Sequence, residues 1–504
     1  MSSSRAEALF APLERLLEGA SHPLEVRESG RVSYVGNGIV RVEGLPRVAS
    51  EELVQLSGDS LGLAFTLEES ETCLVLLDDA ASIVTGTPAM RTGRVLDVPV
   101  GHALLGRVVD AVGRPLDGGR SLEALGRRPV EGPAPPIISR APVTVPLHTG
   151  VKAVDALVPI GRGQRELLLG DRSTGKTALA LSTILNQAHS GVVCVYCAVG
   201  QRDSAVAGVI EELRATGALA YTVVVVARSE DPAGCQFVAP YAATSIGEFF
   251  MREGRDVLVV YDDLTCHARA YRELCLLLRR PPGRDAFPGD IFYIHSRLLE
   301  RATHLSREEG GGSLSALPIV VTEAEDITAY LPTNLISITD GQIVLSSTLF
   351  QRGLLPAVDV TRSVSRVGGD AQLPAYRAVT GDLRLVYAQY QELEAFSRFD
   401  TRLSPQTRKA LEHGRRVREV LRQDDRELLD VSSQIAVLLA ATTGLFDELP
   451  LERVADGERR IRAVLRARCE KLCHRIEAGA PLDDVMRADL LASARAALGE
   501  QDVS

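Results

Sequence analysis

The stretch LGDRSTGKTALAL, Leu169–Leu181, constrains the fold more than any other part of the chain. A glycine, four residues and then Gly-Lys-Thr form a loop that cradles phosphates. That chemistry works in one local setting, a strand running into the loop and a helix starting from it. RELLLG supplies an apolar strand ending at Gly170, and TALALSTILNQAH supplies the helix. Gly170 and Gly175 let the backbone curl so that its N–H groups point inward, and the helix N-terminus adds partial positive charge. Asp171, Arg172, Ser173 and Thr174 form the loop interior. Lys176 is placed to reach the outer phosphates, and the Thr177 hydroxyl is a candidate ligand of Mg²⁺. A glycine-rich turn without a ligand is the alternative reading of the same residues.

The rest of the chain fits around that loop. From residue 25 to 95 the apolar positions alternate and turns recur, as in GRVSYVGNGIVRVEGL, where Val32, Tyr34, Ile39, Val40 and Val42 flank a Gly-Asn-Gly turn. Short strands at regular spacing predict a small β-barrel. Beyond the Gly/Pro-rich EGPAPPIISRAP, apolar runs alternate with helical stretches: RELLLG then TALALSTILNQAH, GVVCVYCAVG then SAVAGVIEELRATG, followed by the apolar runs YTVVVVA and DVLVVYDD. That rhythm predicts βαβ units and a mostly parallel sheet. DVLVVYDD ends in Asp262 and Asp263, and a P-loop needs such an acid at a neighbouring strand end to orient water on the magnesium, so Asp262 is a candidate metal-site residue. After about Asp370 four stretches have helical periodicity, from LRLVYAQYQELEAFSRF to GERRIRAVLRARCEKLCHRIEAG. The fold class expected is therefore multidomain: an N-terminal helix (1–24), a β-barrel (25–95), a P-loop nucleotide-binding α/β domain (96–372) and a C-terminal α-helical domain (373–504). The helix 1–24 rests on the helical spacing of Leu9, Phe10, Leu13, Leu16 and Leu17; such a helix packs on its own protein or docks on a partner.

Composition excludes several classes. The chain has 504 residues, with 56 basic against 66 acidic, a net charge of −10. No basic excess exists to displace counterions from nucleic acid. No apolar run approaches the roughly 20 residues that span a bilayer, and the opening residues read neither as a secretory signal nor as a transit peptide. Cys194 and Cys197 sit three apart on a predicted strand, so they face opposite sides. Cys469, Cys473 and His474 have no second ligand pair in the sequence. Reduced thiols of a cytosolic protein are expected.

GRGQRELLLGDRSTGKTA, YDDLTCHARAYRELCLLLRRPPGRDAFPGDIFYIHSRLLERA, LPTNLISITDGQI and SVSRVGG closely resemble the alpha subunit of rotary ATP synthases. The resemblance runs from GNGIVRVEGL to SQIAVLLAATTGLFDEL and is specific to alpha, because the loop interior Asp-Arg-Ser-Thr is similar to alpha's and not to the small-residue loop of the catalytic beta subunit. It implies three alphas alternating with three betas around a central gamma stalk, with peripheral-stalk subunits outside. It also implies ATP or ADP with Mg²⁺ at alpha's own, non-catalytic site, and a place at the cytoplasmic face of the bacterial inner membrane through the complex alone.

Two positions bear on turnover. Gln201, in AVGQRDS, stands where the catalytic paralogue carries a glutamate. A carboxylate polarises the attacking water by accepting its proton, which a carboxamide cannot do at neutral pH; small GTPases do use a glutamine to place water, but they are slow until an arginine arrives from outside. Arg366, in SVSRVGG, matches the family's arginine finger, a planar donor for the transferring phosphoryl group. By itself the sequence makes it an arginine in a polar turn. Ser363 matches a position the family needs for activity, through the shape of the finger's loop. Both are candidate catalytic residues.

Departures from the family pattern fall at the base pocket. Leu355 precedes Pro356 where an arginine is usual, and of two usual glutamines only Gln423 is kept, Asp425 replacing the other. Glu323 and Glu325, in TEAEDITAY, also differ. With LLPAVDV, these changes resemble an alternative, N-type rotary ATPase, which leaves sodium beside protons as the ion. Rival readings are a self-sufficient homohexameric motor, a Rho-like translocase and a regulatory nucleotide-binding subunit without a finger. Titration of the isolated chain with ATP and GTP is expected to show loose binding with little preference for adenine; tight, strongly adenine-selective binding contradicts this.

Overall fold

The computed structural model describes residues 28–58, 60–79, 82–122, 126–397 and 404–499, with the side chains of 396 and 397 excepted. The expected helix 1–24 lies outside the described residues. Two compact units fall within Met1–Val75 with Ala80–Val95, and within Leu76–Asp79 with Leu96–Ser504.

The first unit is a closed six-stranded barrel. Its strands are β1 (Ser29–Val35), β2 (Ile39–Glu43), β3 (Glu52–Gln55), β4 (Leu61–Leu67), β5 (Glu71–Leu76) and β6 (Pro88–Val95), in the order β1-β2-β5-β4-β3-β6. Closure removes the exposed edges that an open sheet would present. Val32, Val40, Val42, Val54, Ala64 and Leu74 fill its interior, each at most 1% exposed. The Gly-Asn-Gly turn does join β1 to β2, and a bulge between Val32 and Tyr34 shifts the register.

The second unit begins with β7 (Asp97–Val100), β8 (Val108–Asp110) and β9 (Gly126–Pro129), of which β7 and β9 form a small antiparallel ribbon. The large sheet contains β8 and then β10 (Glu166–Gly170), β11 (Val193–Gln201), β12 (Thr222–Arg228), β13 (Asp256–Asp262), β14 (Ser313–Val321), β15 (Gly341–Leu345) and β16 (Val364–Ser365). Its order is β16-β15-β10-β14-β13-β11-β12-β8. Every neighbouring pair is parallel except β15 with β16. Strands buried on both faces read as continuous apolar runs rather than as alternation, which is why VVVV in β12 and LVV in β13 are so uniform. The helix Ala233–Arg252 is buried over most of its surface, with Pro240 inside it. Lacking a polar face, it has no amphipathic signature, and it escaped the periodicity reading, as did β14 and β15.

The C-terminal part is helical, as expected: Pro374–Ser397, Pro405–Leu421, Val431–Thr442, Val454–Arg468, Glu470–Glu477 and Asp484–Gly499. Val431–Thr442 is apolar on all sides from Ile435 to Ala441 and is the buried one, with Ile435, Val437 and Leu438 fully enclosed; that is where an all-round apolar stretch must go. GERRIRAVLRARCEKLCHRIEAG is two helices rather than one, broken at Cys469; nothing in the structure explains the break. The eight cysteines are all free thiols.

Gly414 lies where Pro405–Leu421 meets Tyr390, and a Cβ there would sit 2.4 Å from the Tyr390 Cβ. Gly→Ala inside a helix usually stabilises by about 1 kcal/mol. Here overpacking reverses the sign, so Gly414→Ala is expected to destabilise by about 1–3 kcal/mol, read as a lower thermal unfolding midpoint. A raised midpoint contradicts the packing described.

Candidate functional site

The phosphate loop sits at the carboxyl end of β10, where an open α/β sheet places ligands. Leu167, Leu168 and Leu169 are buried, and they fix the strand between β14 and β15, with Gly170 opposite Val321 and Leu345. A Cβ on Gly170 would meet the Leu345 carbonyl oxygen at 2.7 Å and Thr174 Oγ1 at 2.8 Å. The loop turns through left-handed backbone at Ser173 (φ 60°) and at Gly175 (φ 96°), the N-cap of the helix Lys176–Leu185. Thr174 Oγ1 closes the loop by donating to the Asp171 carbonyl, 2.9 Å away. Arg172 and Ser173 are exposed at its tip. The first four N–H groups of a helix have no partner within it, so the loop and the helix start present donors suited to phosphate.

Lys176 is buried, and its Nζ donates to the carbonyls of Gly170 (2.8 Å) and Asp171 (2.5 Å). Burial pulls the ammonium down to about 8, against the attraction of Asp263, Asp262 and Asp171. The carboxylate of Asp171 is the loop's scaffold. Its Oδ1 accepts from Thr322 Oγ1 (2.7 Å) and from the Glu325 N–H (2.9 Å), while Oδ2 accepts from Ser347 Oγ (3.0 Å). Burial alone would raise this carboxyl, but those donors hold it below the usual carboxylate range.

Asp262 is the second pole. Thr177 Oγ1 donates to its Oδ2 at 2.7 Å, and the Tyr196 hydroxyl does so at 2.8 Å. Gln201 Nε2 approaches Oδ1 at 3.2 Å and the Asp262 carbonyl at 3.3 Å. Burial raises the Asp262 carboxyl above its ordinary value, and the Thr177 and Tyr196 hydroxyls oppose that rise. Asp263, joined to it by a cis peptide bond, turns to cap the helix Leu264–Leu277, accepting from the Cys266 N–H at 2.7 Å. The two adjacent aspartates thus have different tasks. An all-oxygen set of a hydroxyl and a buried carboxylate suits a hard cation such as Mg²⁺.

Beside the loop opens a cleft of about 400 Å³, lined by Leu179, Leu345, Phe350, Leu355, Pro356 and Ala357 with Thr174, Gly175 and Ser182. Gln423, Asp424 and Asp425 form its polar side. The Gln423 amide is committed elsewhere: Nε2 donates to the Gly150 carbonyl at 2.7 Å and to the Glu427 carbonyl, and Oε1 accepts from the Lys152 N–H at 2.9 Å. Gln423 therefore shapes the wall and has no N–H left for a ligand. Asp425 is anchored by its backbone, whose carbonyl accepts from Ser182 Oγ at 2.7 Å.

The structure thus gathers Gly170, Asp171, Thr174, Lys176, Thr177, Gln201 and Asp262 in one cluster, with Gln423 on the adjoining cleft. Arg366 and Ser363 do not line that cleft. They flank β16, at the edge of the sheet. Ser363 Oγ donates to the Asp359 carbonyl (2.6 Å) and accepts from the Val344 N–H (2.9 Å), clipping this loop to β15. Arg366 is exposed, and its Nη2 donates to the Ile336 carbonyl at 2.7 Å and to the Thr339 carbonyl.

Sequence reasoning missed Tyr196, and it noted Glu325 only as a departure from the family pattern. Tyr196 is a hydroxyl in an otherwise apolar buried strand, and such a group must find a partner; that signal was available. Glu325 adopts left-handed backbone (φ 56°) and pairs with Arg362 at 2.7 Å. Its other oxygen accepts from Ser346 Oγ and from the N–H groups of Ser347 and Thr348. It therefore links the Asp171 scaffold to the loop that carries Ser363, which no local pattern announces.

A family model described as the nucleotide-binding domain of the ATP synthase alpha/beta family matches residues 150–365. The beta-barrel domain of that family matches 25–93, and its C-terminal domain matches 372–497. The chain is 57% identical over 495 residues to ATP synthase subunit alpha 2 of Syntrophus aciditrophicus, covering 98% of this chain and 95% of that one. It is 59% identical to subunit alpha 1 of Chlorobium luteolum, over 94% and 93% of the two chains. It is 58% identical to subunit alpha 2 of Polaromonas naphthalenivorans, over 98% and 95%.

A lysine that titrates near 8 when free, and is held charged by phosphate when bound, makes binding take up a proton above that pH. Affinity for a triphosphate should therefore fall as pH rises through 8, by about tenfold per unit at most. Equilibrium titrations at pH 7, 8 and 9 check this. A flat profile, or the same slope in Lys176→Ala, contradicts it.

Proposed function

Since the chain belongs to the ATP synthase alpha/beta family, we propose that it is the non-catalytic alpha subunit of a rotary ATP synthase head. In this reading it holds ATP or ADP without consuming it and serves the catalytic site of an adjacent beta subunit. The observation that carries the reading is Gln201. At the place where hydrolysis needs a proton acceptor for the attacking water, this chain has a carboxamide that donates to the Asp262 carboxylate. An amide accepts no proton at neutral pH, and this one is tied to the acid beside it.

The phosphates would lie against the N–H groups of residues 171–177, with Lys176 exchanging the carbonyls of Gly170 and Asp171 for phosphate oxygens. Thr177 would ligate Mg²⁺ directly and Asp262 would hold it through water. The cation would neutralise phosphate charge and restore the compensation that burial denies the Asp262 carboxylate. The base would enter the apolar cleft beside Leu355 and Pro356. With Gln423 committed to backbone and Leu355 carrying no charge, shape and apolar area hold the base more than polar donors do.

Arg366 is read as the finger supplied to beta. Its exposure at a sheet edge, away from the chain's own cleft, suits a group that acts across an interface. Ser363, fixed between Asp359 and β15, sets the course of the loop that leads to it. Assembly with beta subunits, a gamma stalk and peripheral-stalk subunits belongs to this proposal, as does coupling to proton or sodium transport at the cytoplasmic face of the inner membrane; membership of the family supports both. Among the described residues no helix is long and apolar enough to cross a membrane, so membrane contact in this reading is made by other subunits. The changes at Leu355, Asp425, Glu323 and Glu325 support the N-type form.

Arg366→Ala, assembled into the complex with its partner subunits, is expected to leave subunit stoichiometry intact and to lower steady-state ATP hydrolysis by about 10³- to 10⁵-fold. Hydrolysis at the unmodified rate contradicts the finger.

A further inference from the structure

A long side chain at an exposed loop is a poor catalytic donor unless its backbone is held. Arg366 rests its guanidinium on the carbonyls of Ile336 and Thr339. To meet a phosphoryl group it must leave them, and only the anchoring of the main chain then preserves its aim. That anchoring is visible one residue earlier. Ser365 Oγ donates to the Pro159 carbonyl at 2.6 Å and accepts from the Gly368 N–H at 3.1 Å. It also accepts from Gln164 Nε2 at 3.0 Å.

Gln164 is fully buried and uses every group it has. Nε2 donates to Ser365 and also to Glu166 Oε2 at 2.7 Å, while Oε1 accepts from the Gly161 N–H at 2.8 Å. Glu166 is the first residue of β10, the strand that ends in the phosphate loop, and is itself 0% exposed, with Oε1 unpartnered. Burial pushes its carboxyl well above the ordinary range. A second tie runs in parallel. The Arg366 N–H donates to the Asp340 carbonyl at 2.9 Å, and the Asp340 carboxylate accepts from the Arg165 N–H at 3.0 Å and pairs with its guanidinium at 2.8 Å.

Space around these ties is closed. A Cβ on Gly341 would lie 2.5 Å from Glu166 Oε2, and one on Gly368 would lie 1.8 Å from the Pro159 carbonyl oxygen. The segment bearing Arg366 is thus keyed to the residues that open β10, with no slack in which to shift.

We propose that Gln164 is a positioning residue for Arg366: by bridging Glu166 and Ser365 it fixes the backbone that presents the arginine and ties that backbone to the strand of the phosphate loop. The inference rests on the reading of Arg366 as a group supplied to a neighbouring site, and adds the residues that aim it. Its consequence is mechanical. A change at the chain's own phosphate loop and a change in the aim of its arginine share one strand, β10, as their common support.

The test uses the assembled complex carrying Gln164→Leu or Ser365→Ala, each alone and combined with Arg366→Ala. Subunit stoichiometry is measured beside kcat and KM for ATP hydrolysis. Each single substitution is expected to lower kcat by about ten- to a hundredfold with KM essentially unchanged, and to add nothing in the Arg366→Ala background. Ser365→Ala deletes one oxygen and leaves no buried carboxyl without its donor, so it decides the matter if Gln164→Leu fails to assemble. Full kcat in the Ser365→Ala complex, or losses that multiply in full with that of Arg366→Ala, overturn the inference. If the Arg366→Ala complex itself keeps full speed, the finger reading falls, and this inference with it.

Discussion

The carboxylate of Asp262 holds the nucleotide end of the molecule together. It is buried at the end of β13, where an unpaired charge is costly, and three neighbours compensate it: Thr177 from the phosphate loop, Tyr196 from β11 and Gln201 from the end of β11. Each donor belongs to an element that must be in place for the site to exist. The carboxylate therefore does in the free chain what magnesium would share in the bound one, keeping the first turn of the P-loop helix in register with the sheet.

The opposite wall of the loop is organised by a second acid. Asp171 accepts from Thr322, Glu325 and Ser347, and Glu325 passes the connection to Arg362. The loop is thus preorganised by acceptors behind it, so ordering costs little when phosphate arrives. The cleft proposed for the base is mostly apolar, and Gln423 spends its amide on Gly150, Glu427 and Lys152. Preorganised donors for phosphate, a mostly apolar neighbouring cleft and an amide where turnover would need a proton acceptor fit the proposal of a site that binds nucleotide without consuming it.

The parts legible in the sequence were those set by local chemistry. Gly170, Gly175, Lys176 and Thr177 announce a phosphate loop because only one backbone course satisfies them, and the uniform apolar runs of β11, β12 and β13 announce buried parallel strands. What escaped has a physical reason in each case. The helix Ala233–Arg252 is buried nearly all round, so periodicity had nothing to register. Gln164 and Glu166 lie some two hundred residues from Ser365 along the chain and meet it only because β10, β15 and β16 are neighbours. Gln423 was named only through the family resemblance, and its amide could not be known to be spent until Gly150 and Lys152 were seen beside it. Arg366 looked like an ordinary arginine in a polar turn, and only the family resemblance raised it above that.

The account centres on nucleotide binding without turnover, and one measurement meets it directly. The isolated chain is mixed with magnesium and ATP labelled at the γ-phosphate, and bound and released label are followed over many minutes. The account predicts that the label stays in intact triphosphate throughout, exchanging between protein and solution, and that Lys176→Ala abolishes its binding. Sustained release of labelled phosphate by the isolated chain, lost in Lys176→Ala, would contradict it.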